Sequence, residues 1–339
     1  MEGLLEIEKI ILKEVQEGLP LHKRPFLEIG KKLDLDEKEI IETLKRLKEE
    51  KIIRQISPIY DTKSLGYESS LVAFKTKEIE KTAELINSHP GVSHNYERTD
   101  DFNLWFTIAV PPDSKLGLKK TIEILAEKTD TQDFVILKTQ KLFKIGVKLT
   151  FSDAKEKEKI EKKKKNKKTD YSLTEEDKQI IKITQEDIPL EEEPFKKMSE
   201  KLGMTQEDII KKLKIFKEAG IMRRFAAILY HRKAGFKANG MTVWKVPEEL
   251  VEDVGYKLAS FKAVSHCYQR TTNEKWQYNI FAMAHAQSKE ELEDLVKEMS
   301  KETGIKDYKV LYSTREFKKR RIKYFSDDFY KWEEDINNA

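Results

Sequence analysis

Two short segments of the chain place a histidine, a tyrosine and an arginine at alternate positions. The segments read GVSHNYER at 91–98 and AVSHCYQR at 263–270. Residues two apart on a β-strand share one face of the sheet. An imidazole can donate a proton near neutral pH, and a guanidinium pairs with carboxylates. The pattern indicates a site for an anionic aromatic ligand, or alternatively a hydrogen-bonded interface between the two halves of the chain. The residues concerned are His94, Tyr96, Arg98, His266, Tyr268 and Arg270.

These segments belong to an internal repeat. Residues 20–53 align without a gap with residues 189–222, and Pro20, Phe26 and Leu44 each recur 169 positions later. A repeat of this length indicates two copies of one structural unit. The positions at which the copies differ are therefore the best guide to where chemistry takes place.

The second copy gains basic residues at positions where the first copy has none. Thr62 is replaced by His231 in the second copy, and Gln55 is replaced by Arg224. We expect this one-sided gain to supply cations for carboxylate groups beside a proton donor, which favours one main site. Together with the tyrosines and arginines of the two strands, the candidate ligand-binding residues are Arg223, Arg224, Arg232, Arg320 and Arg321.

Composition narrows the class of protein. At 339 residues, with 38% hydrophobic and 37% charged residues, the chain can hold two to four folded domains. The single cysteine, Cys267, excludes an internal disulfide and a cysteine metal cage. No apolar run reaches the length of a membrane span and the start of the chain has no secretory pattern, so we expect a soluble cytoplasmic protein without a membrane partner.

The net charge of +4 comes from one segment. Residues 155–168 carry nine Lys and three Glu, a net +6, which leaves −2 for the rest of the chain. Such a segment is typical of a solvated linker. The folded parts are therefore slightly acidic.

Hydrophobic periodicity predicts an α+β fold in tandem duplication. Three helices followed by a small wing, read as a pair of strands in IIRQISPIYD, indicate a winged helix-turn-helix. The following β-α-β-β-α-β order is the ferredoxin-like arrangement. We expect the two copies to pack as an internal pseudo-dimer, which could form a further homodimer. The predicted segments are a winged helix-turn-helix at 1–60, a ferredoxin-like domain at 61–150, a charged linker at 151–170, a second winged helix-turn-helix at 171–230 and a second ferredoxin-like domain at 231–326.

This architecture resembles the leucine-responsive transcriptional regulators. The motifs GVSHNYERTDDFNLWFT and RRFAAILYHRKAGFKANGMTVW point more narrowly, because they look like the two subunits of siroheme decarboxylases joined in one chain. The resemblance covers about 1–150 and 171–325. It implies removal of carbon dioxide from the acetate side chains at C12 and C18 of siroheme, giving 12,18-didecarboxysiroheme, in heme d1 or siroheme-dependent heme biosynthesis.

The alternative is a DNA-binding regulator that senses heme or an amino acid. A recognition helix must present basic or amide side chains to bases and phosphates. The first candidate helix instead begins with acids, including Asp34, Asp36 and Glu37. We therefore expect no nucleic-acid partner.

No added cofactor is expected, since the tetrapyrrole itself can absorb the charge that decarboxylation leaves. Phosphate-binding glycine loops and zinc-binding spacings are absent, so we expect no resident metal, and iron enters as part of the substrate. The candidate catalytic residues are His94, His231 and His266; which of them donates the proton or binds iron stays open, as does the number of sites. We interpret His22, His89 and His285 as surface, turn or structural residues.

Overall fold

The structure is a computed structural model that describes residues 4–131, 133–145, 155–160, 171–230 and 238–338. Within these ranges both copies show the predicted alternation of helices and strands. The helices are α1 (Glu6–Glu17), α2 (Pro25–Leu33), α3 (Glu37–Glu49), α4 (Ile79–Ser88), α5 (Gly117–Lys128), α6 (Glu175–Thr184), α7 (Lys196–Leu202), α8 (Gln206–Glu218), α9 (Val251–Ser260), α10 (Lys289–Thr303) and α11 (Asp327–Asn338).

The strands fall into two sheets, one of two strands and one of nine. Their bounds are β1 (Ile53–Tyr60), β2 (Glu68–Lys75), β3 (Val92–Arg98), β4 (Leu104–Val110), β5 (Asp133–Leu137), β6 (Thr139–Ile145), β7 (Met222–Leu229), β8 (Ala238–Trp244), β9 (Val264–Arg270), β10 (Ile280–Ala286) and β11 (Tyr308–Lys319).

The chain divides into two compact units that do not follow its two halves. The helical unit comprises Met1–Tyr67, Asn166–Arg232 and Lys323–Tyr330, and the sheet unit comprises the remaining segments. The winged helix segments of both copies thus lie in the helical unit, and the ferredoxin-like segments of both copies lie in the sheet unit. The predicted α+β duplication is confirmed, whereas the predicted boundaries along the chain stay predictions.

The wing of the helical unit differs from the prediction. Residues 53–60 form one continuous strand, β1, and not a strand pair. This strand contains no turn, and its antiparallel partner is β7, the equivalent strand of the other copy, with Ile53 opposite Leu229 and Pro58 opposite Phe225. Proline is tolerated here because both members of a two-stranded sheet are edge strands. The two copies are therefore joined through the wing.

Apolar faces of the helices explain the rest of the helical unit. Ile11 and Val15 of α1 and Ile40 and Leu44 of α3 are fully or almost fully buried, as the helical spacing predicts. In the second copy Thr205 caps α8 by accepting a hydrogen bond from the Asp208 amide at 3.1 Å. Local capping and burial thus position each helix.

In the sheet unit the nine strands have the order β5-β2-β4-β3-β11-β8-β10-β9-β6. The second copy supplies four strands, β8 to β11, and the first copy supplies five, β2 to β6, because its C-terminal strand segment is divided into β5 and β6. The first part of β11 pairs with β8 of its own copy, and the second part pairs with β3 of the first copy. Correspondingly β5 pairs with β2, and β6 pairs with β9 of the second copy. This exchange of terminal strands joins the copies.

Alternate residues of the strands build two cores. On one face Trp244 and Cys267 pack with residues of α9 and α10. On the other face residues from both copies form one cluster, in which the rings of Trp105 and Trp276 meet edge to face at 5.0 Å. This second face, which we call the internal face, is shared by the two copies.

Part of the predicted linker is bound to the sheet unit. The Glu158 amide donates to the Ser260 carbonyl at 2.7 Å, and the Lys262 amide donates to the Glu156 carbonyl at 2.8 Å. The Glu158 carboxylate also pairs with Lys144 at 2.5 Å. These acids interrupt the run of lysines, so residues 155–160 bind to the fold and do not behave as a self-repelling linker.

The strand exchange gives a stability prediction at Gly255 of α9. A methyl group there would overlap the ring of Phe143, which reaches the second copy's core from the exchanged strand β6. We expect Gly255→Ala to destabilise the protein by about 1–3 kcal/mol through overpacking. Phe143→Leu in the same chain should recover part of the loss, as measured by denaturant unfolding. Unchanged stability of Gly255→Ala would contradict this packing.

Candidate active site

The histidine, tyrosine and arginine of each repeated motif form a stacked ladder on the internal face. The rings of His94 and Tyr96 are stacked with centroids 6.3 Å apart, and the Arg98 guanidinium carbon lies 5.2 Å from the Tyr96 ring centre. In the second copy His266 and Tyr268 repeat the 6.3 Å stacking. Their neighbour Arg270 lies 4.8 Å from the Tyr268 ring. The placement of each motif on one face, as period-two spacing predicts, is observed in both copies.

The arginines of the ladders bind the exchanged strands. Arg98 Nη1 donates to the Leu311 carbonyl at 3.3 Å and to Ser313 Oγ at 2.8 Å. Arg270 Nη1 makes the equivalent bonds to Leu137 and Thr139. Burial lowers the pKa of both guanidiniums to about 10. The structure gives these arginines a role in holding the strands; their contact with a ligand stays a prediction.

A β-bulge in each copy aims a serine at the ladder histidine. Ser93 is the extra residue between the paired positions Val92 and His94, and Ser265 is the extra residue at the same point of the second copy. A bulge redirects the side chain of the inserted residue. Ser93 Oγ lies 2.9 Å from His94 Nδ1, and Ser265 Oγ lies 2.9 Å from His266 Nδ1. Each histidine is thereby held at Nδ1.

Both histidines are half-buried, and the charge of His94 acts on His266. Burial, followed by the positive charge of Lys319, lowers the pKa of His94, while Glu316 opposes the shift. Burial, followed by the positive charges of His94 and Lys144, lowers the pKa of His266. The neutral imidazole is therefore favoured, and an imidazolium formed here is a stronger acid than a free one.

The sequence interpretation missed His285. Its Nε2 lies 2.7 Å from Ser265 Oγ, and its Nδ1 lies 2.6 Å from Asn239 Oδ1. Burial, with the positive charges of His266 and Lys319, lowers its pKa to about 4. The signal was present, because His285 replaces Ala109 of the first copy just as His231 replaces Thr62. We now include His285 in the candidate site.

The strand exchange places the backbone of Arg320 and Arg321 beside the first copy and not, as expected, with the other basic residues of the second copy. Lys319 lies opposite His94 in the pairing of β11 with β3, and the Arg320 amide donates to the Ser93 carbonyl at 2.7 Å. Arg320 and Arg321 belong to the second copy in sequence, yet their backbone follows the strand that pairs beside the first copy's histidine. The reason is that β11 leaves its own copy after Tyr312.

The two histidines therefore have different neighbours across the ladder. Opposite Tyr96 is Glu316, whose carboxylate accepts a 3.1 Å hydrogen bond from the Tyr96 hydroxyl. Opposite His266 is Ile145, which is 41% exposed, and opposite Tyr268 is Leu142. The residues directly opposite the first ladder are thus charged and those directly opposite the second are apolar, while the charge of Lys144 also acts on His266. The arrangement suits a flat ligand with an apolar body and acidic substituents.

Two of the remaining basic candidates belong to the helical unit, and two lie outside the described residues. Arg223 and Arg224 belong to β7 of the helical unit, where Arg223 Nε donates to Asp61 at 3.0 Å and Arg224 Nη1 donates to the Gln16 carbonyl at 3.3 Å. His231 and Arg232 lie outside the described residues. Their participation in ligand binding stays a prediction.

The interpretation of His89 as a surface or turn residue is only partly right. It follows α4, as expected of a turn, but it is fully buried, and its ring lies 4.3 Å from that of Trp332. Burial lowers its pKa to about 3. It acts as a neutral packing residue.

Within the described ranges, no group of His, Cys, Asp and Glu side chains is placed to hold a metal ion. Among the helices of that part of the chain, none is long and apolar enough to cross a bilayer.

The charges around His94 give a titration prediction. Lys319→Gln should raise the pKa of His94, because a positive charge that disfavours the imidazolium is removed. Glu316→Gln should lower it further. Histidine proton NMR across a pH series measures both shifts, with Lys38→Gln in the helical unit as the control. An unchanged His94 pKa in both variants would show that these charges do not face the imidazole.

Comparison with known proteins agrees with this geometry. A family model described as the siroheme decarboxylase NirDL-like HTH domain matches residues 8–54 and 177–223. A second, described as the AsnC-like ligand binding domain, matches residues 64–144 and 233–318. Both models match twice, once in each copy, which agrees with the internal repeat.

Relatives and solved structures cover almost the whole chain. The siroheme decarboxylase of Hydrogenobacter thermophilus is 47% identical over 98% of this chain and 99% of its own length. The siroheme decarboxylase NirDL subunit of Paracoccus pantotrophus is 30% identical over 93% of this chain and 96% of its own length.

Among solved structures, a crystal structure of the siroheme decarboxylase NirDL superposes with a TM-score of 0.83 at 42% identity, covering 98% of both chains. A NirDL complex with an iron-uroporphyrin III analogue superposes with a TM-score of 0.82 at 40% identity and the same coverage. The chain belongs to the siroheme decarboxylase family, in the form that joins two subunit-like halves in one polypeptide.

Proposed function

We propose that this chain decarboxylates the acetate side chains at C12 and C18 of siroheme, giving 12,18-didecarboxysiroheme for heme d1 or siroheme-dependent heme biosynthesis. The family and the complex of a related chain with an iron-uroporphyrin analogue support this substrate. The observation that carries the proposal is the pair of half-buried histidines on one internal face, each held at Nδ1 by a serine.

The reaction needs few parts from the protein. The bond between the acetate methylene and the carboxyl carbon breaks, carbon dioxide leaves, and the electron pair is delocalised into the macrocycle. A proton from an acid then converts the methylene carbanion into a methyl group. Each carbon dioxide released therefore consumes one proton.

The environment of the histidines suits this step. Burial keeps each imidazole neutral at rest, so a proton acquired from solvent is readily given up to a carbanion. The low dielectric that lowers the histidine pKa also favours loss of charge from a carboxylate as carbon dioxide. We expect His94 and His266 to act near the ligand, as proton donor or as a ligand of the substrate's iron.

We expect the side chains flanking the histidines to bind different parts of the substrate. Lys319, Arg320 and Arg321 follow the exchanged strand on the His94 side and can pair with the acetate and propionate groups. Ile145 and Leu142 on the His266 side can contact the apolar macrocycle. Arg223, Arg224, His231 and Arg232 remain candidate substrate contacts on the strength of the sequence alone.

Replacement of either ladder histidine tests the proposal. We expect His94→Ala and His266→Ala each to lower the rate of siroheme decarboxylation by about a hundredfold, the usual range for a lost proton-transfer group. The assay is anaerobic turnover followed by chromatography of the tetrapyrrole. His22→Ala, at an exposed position of the helical unit, is the matched control and should keep its activity. Full activity in both folded variants would remove these histidines from the active site.

A further inference from the structure

The hydrogen-bond chain behind His266 has a direction. Asn239 Oδ1 faces His285 Nδ1 at 2.6 Å, His285 Nε2 faces Ser265 Oγ at 2.7 Å, and Ser265 Oγ faces His266 Nδ1 at 2.9 Å. A carboxamide oxygen can only accept a hydrogen bond. His285 must therefore carry its proton on Nδ1, which leaves Nε2 as an acceptor.

The protonation of His285 determines, through Ser265, which nitrogen of His266 carries the proton. Because His285 Nε2 accepts, the Ser265 hydroxyl donates to it, and the oxygen of that hydroxyl accepts from His266 Nδ1–H. A neutral His266 then has no proton on Nε2. Within the described ranges, no hydrogen bond is made by this Nε2 atom. An unprotonated imidazole nitrogen whose other nitrogen is held by a hydrogen bond is the usual ligand of a heme iron.

The first copy has no such direction. Ser93 Oγ lies 2.9 Å from His94 Nδ1 and 2.7 Å from Thr107 Oγ1. Thr107 Oγ1 also lies 3.5 Å from His94 Nδ1. Both partners of the histidine are therefore hydroxyl groups, which can rotate to donate or accept. At the positions of Asn239 and His285 the first copy has Ser69 and Ala109, which pair across β2 and β4 as Asn239 and His285 pair across β8 and β10. His94 is therefore free to carry its proton on either nitrogen.

We propose that Asn239 and His285 are positioning residues that fix the tautomer of His266, so that its Nε2 binds the iron of the substrate while His94 supplies the proton. This inference rests on the proposed function for the identity of the ligand. This division of tasks explains why both copies have the same ladder but differ at the positions of Asn239 and His285. The duplicated histidines have separate tasks, and the difference arises from two side chains that do not touch the reacting groups.

Ligand binding without turnover tests the assignment. Iron-uroporphyrin and metal-free uroporphyrin are titrated against the full chain, and the Soret band and iron spin state of the bound iron form are recorded. Asn239→Ala and His285→Ala should weaken binding of the iron form by about tenfold or more, the usual effect of losing a partner behind a metal ligand, with metal-free binding unchanged. His266→Ala should abolish the preference for iron, and His94→Ala should retain it.

Asn239→Asp is the sharpest variant. Asn239 is the second residue of β8 and is exposed, so its variants should fold normally. A carboxylate can only accept, as the proposed direction requires, and should preserve the spectrum and iron affinity of the unaltered chain. Ser69→Ala, at the equivalent position of the first copy, is the control for Asn239→Ala and should have no effect.

Three results would overturn the proposal. They are equal weakening of both porphyrins in Asn239→Ala, loss of iron affinity in Asn239→Asp, and absence of any preference for iron in the unaltered chain. Decarboxylation of siroheme is assayed separately. Intact iron preference without turnover would contradict the proposed function alone, and turnover without iron preference would contradict the tautomer assignment alone.

Discussion

The pairing of each copy's last strand with the second ferredoxin-like strand of the other copy is the interaction on which the rest of the sheet unit depends. β11 pairs with β3, and β6 pairs with β9. Backbone donors and acceptors of these strands would otherwise lie unpaired at sheet edges. Residues of both copies also pack around Trp105 and Trp276 on the internal face, and the guanidiniums of Arg98 and Arg270 donate hydrogen bonds to the crossing strands.

Because the exchange joins unlike copies, it also makes the two ladders chemically different. Lys319 and Glu316 reach the first copy's histidine and tyrosine, whereas Ile145 and Leu142 reach those of the second. Behind His266 lies a directed hydrogen-bond chain through His285, and behind His94 lie two rotatable hydroxyls. Divergence at a few strand positions thus gives the two equivalent ladders different neighbours.

Much of this could be predicted from the sequence because it is local. Period-two spacing puts His94, Tyr96 and Arg98 on one face, and the βαββαβ order follows from the alternation of patterns. Pairing between copies is not local, so the sequence grouped Arg320 with its own copy although its backbone pairs beside His94. A bulge leaves no periodic signal either, so the contact of Ser265 with His285 could not be predicted.

The proposed reaction removes two carboxyl groups from siroheme and protonates the carbon left behind each time. Anaerobic incubation of the purified chain with siroheme in deuterated water, followed by mass spectrometry of the tetrapyrrole, tests it directly. We expect sequential loss of two carbon dioxide units, with one deuterium retained in each new methyl group. Recovery of unaltered siroheme, or loss of carbon dioxide without deuterium in the methyl groups, would contradict it.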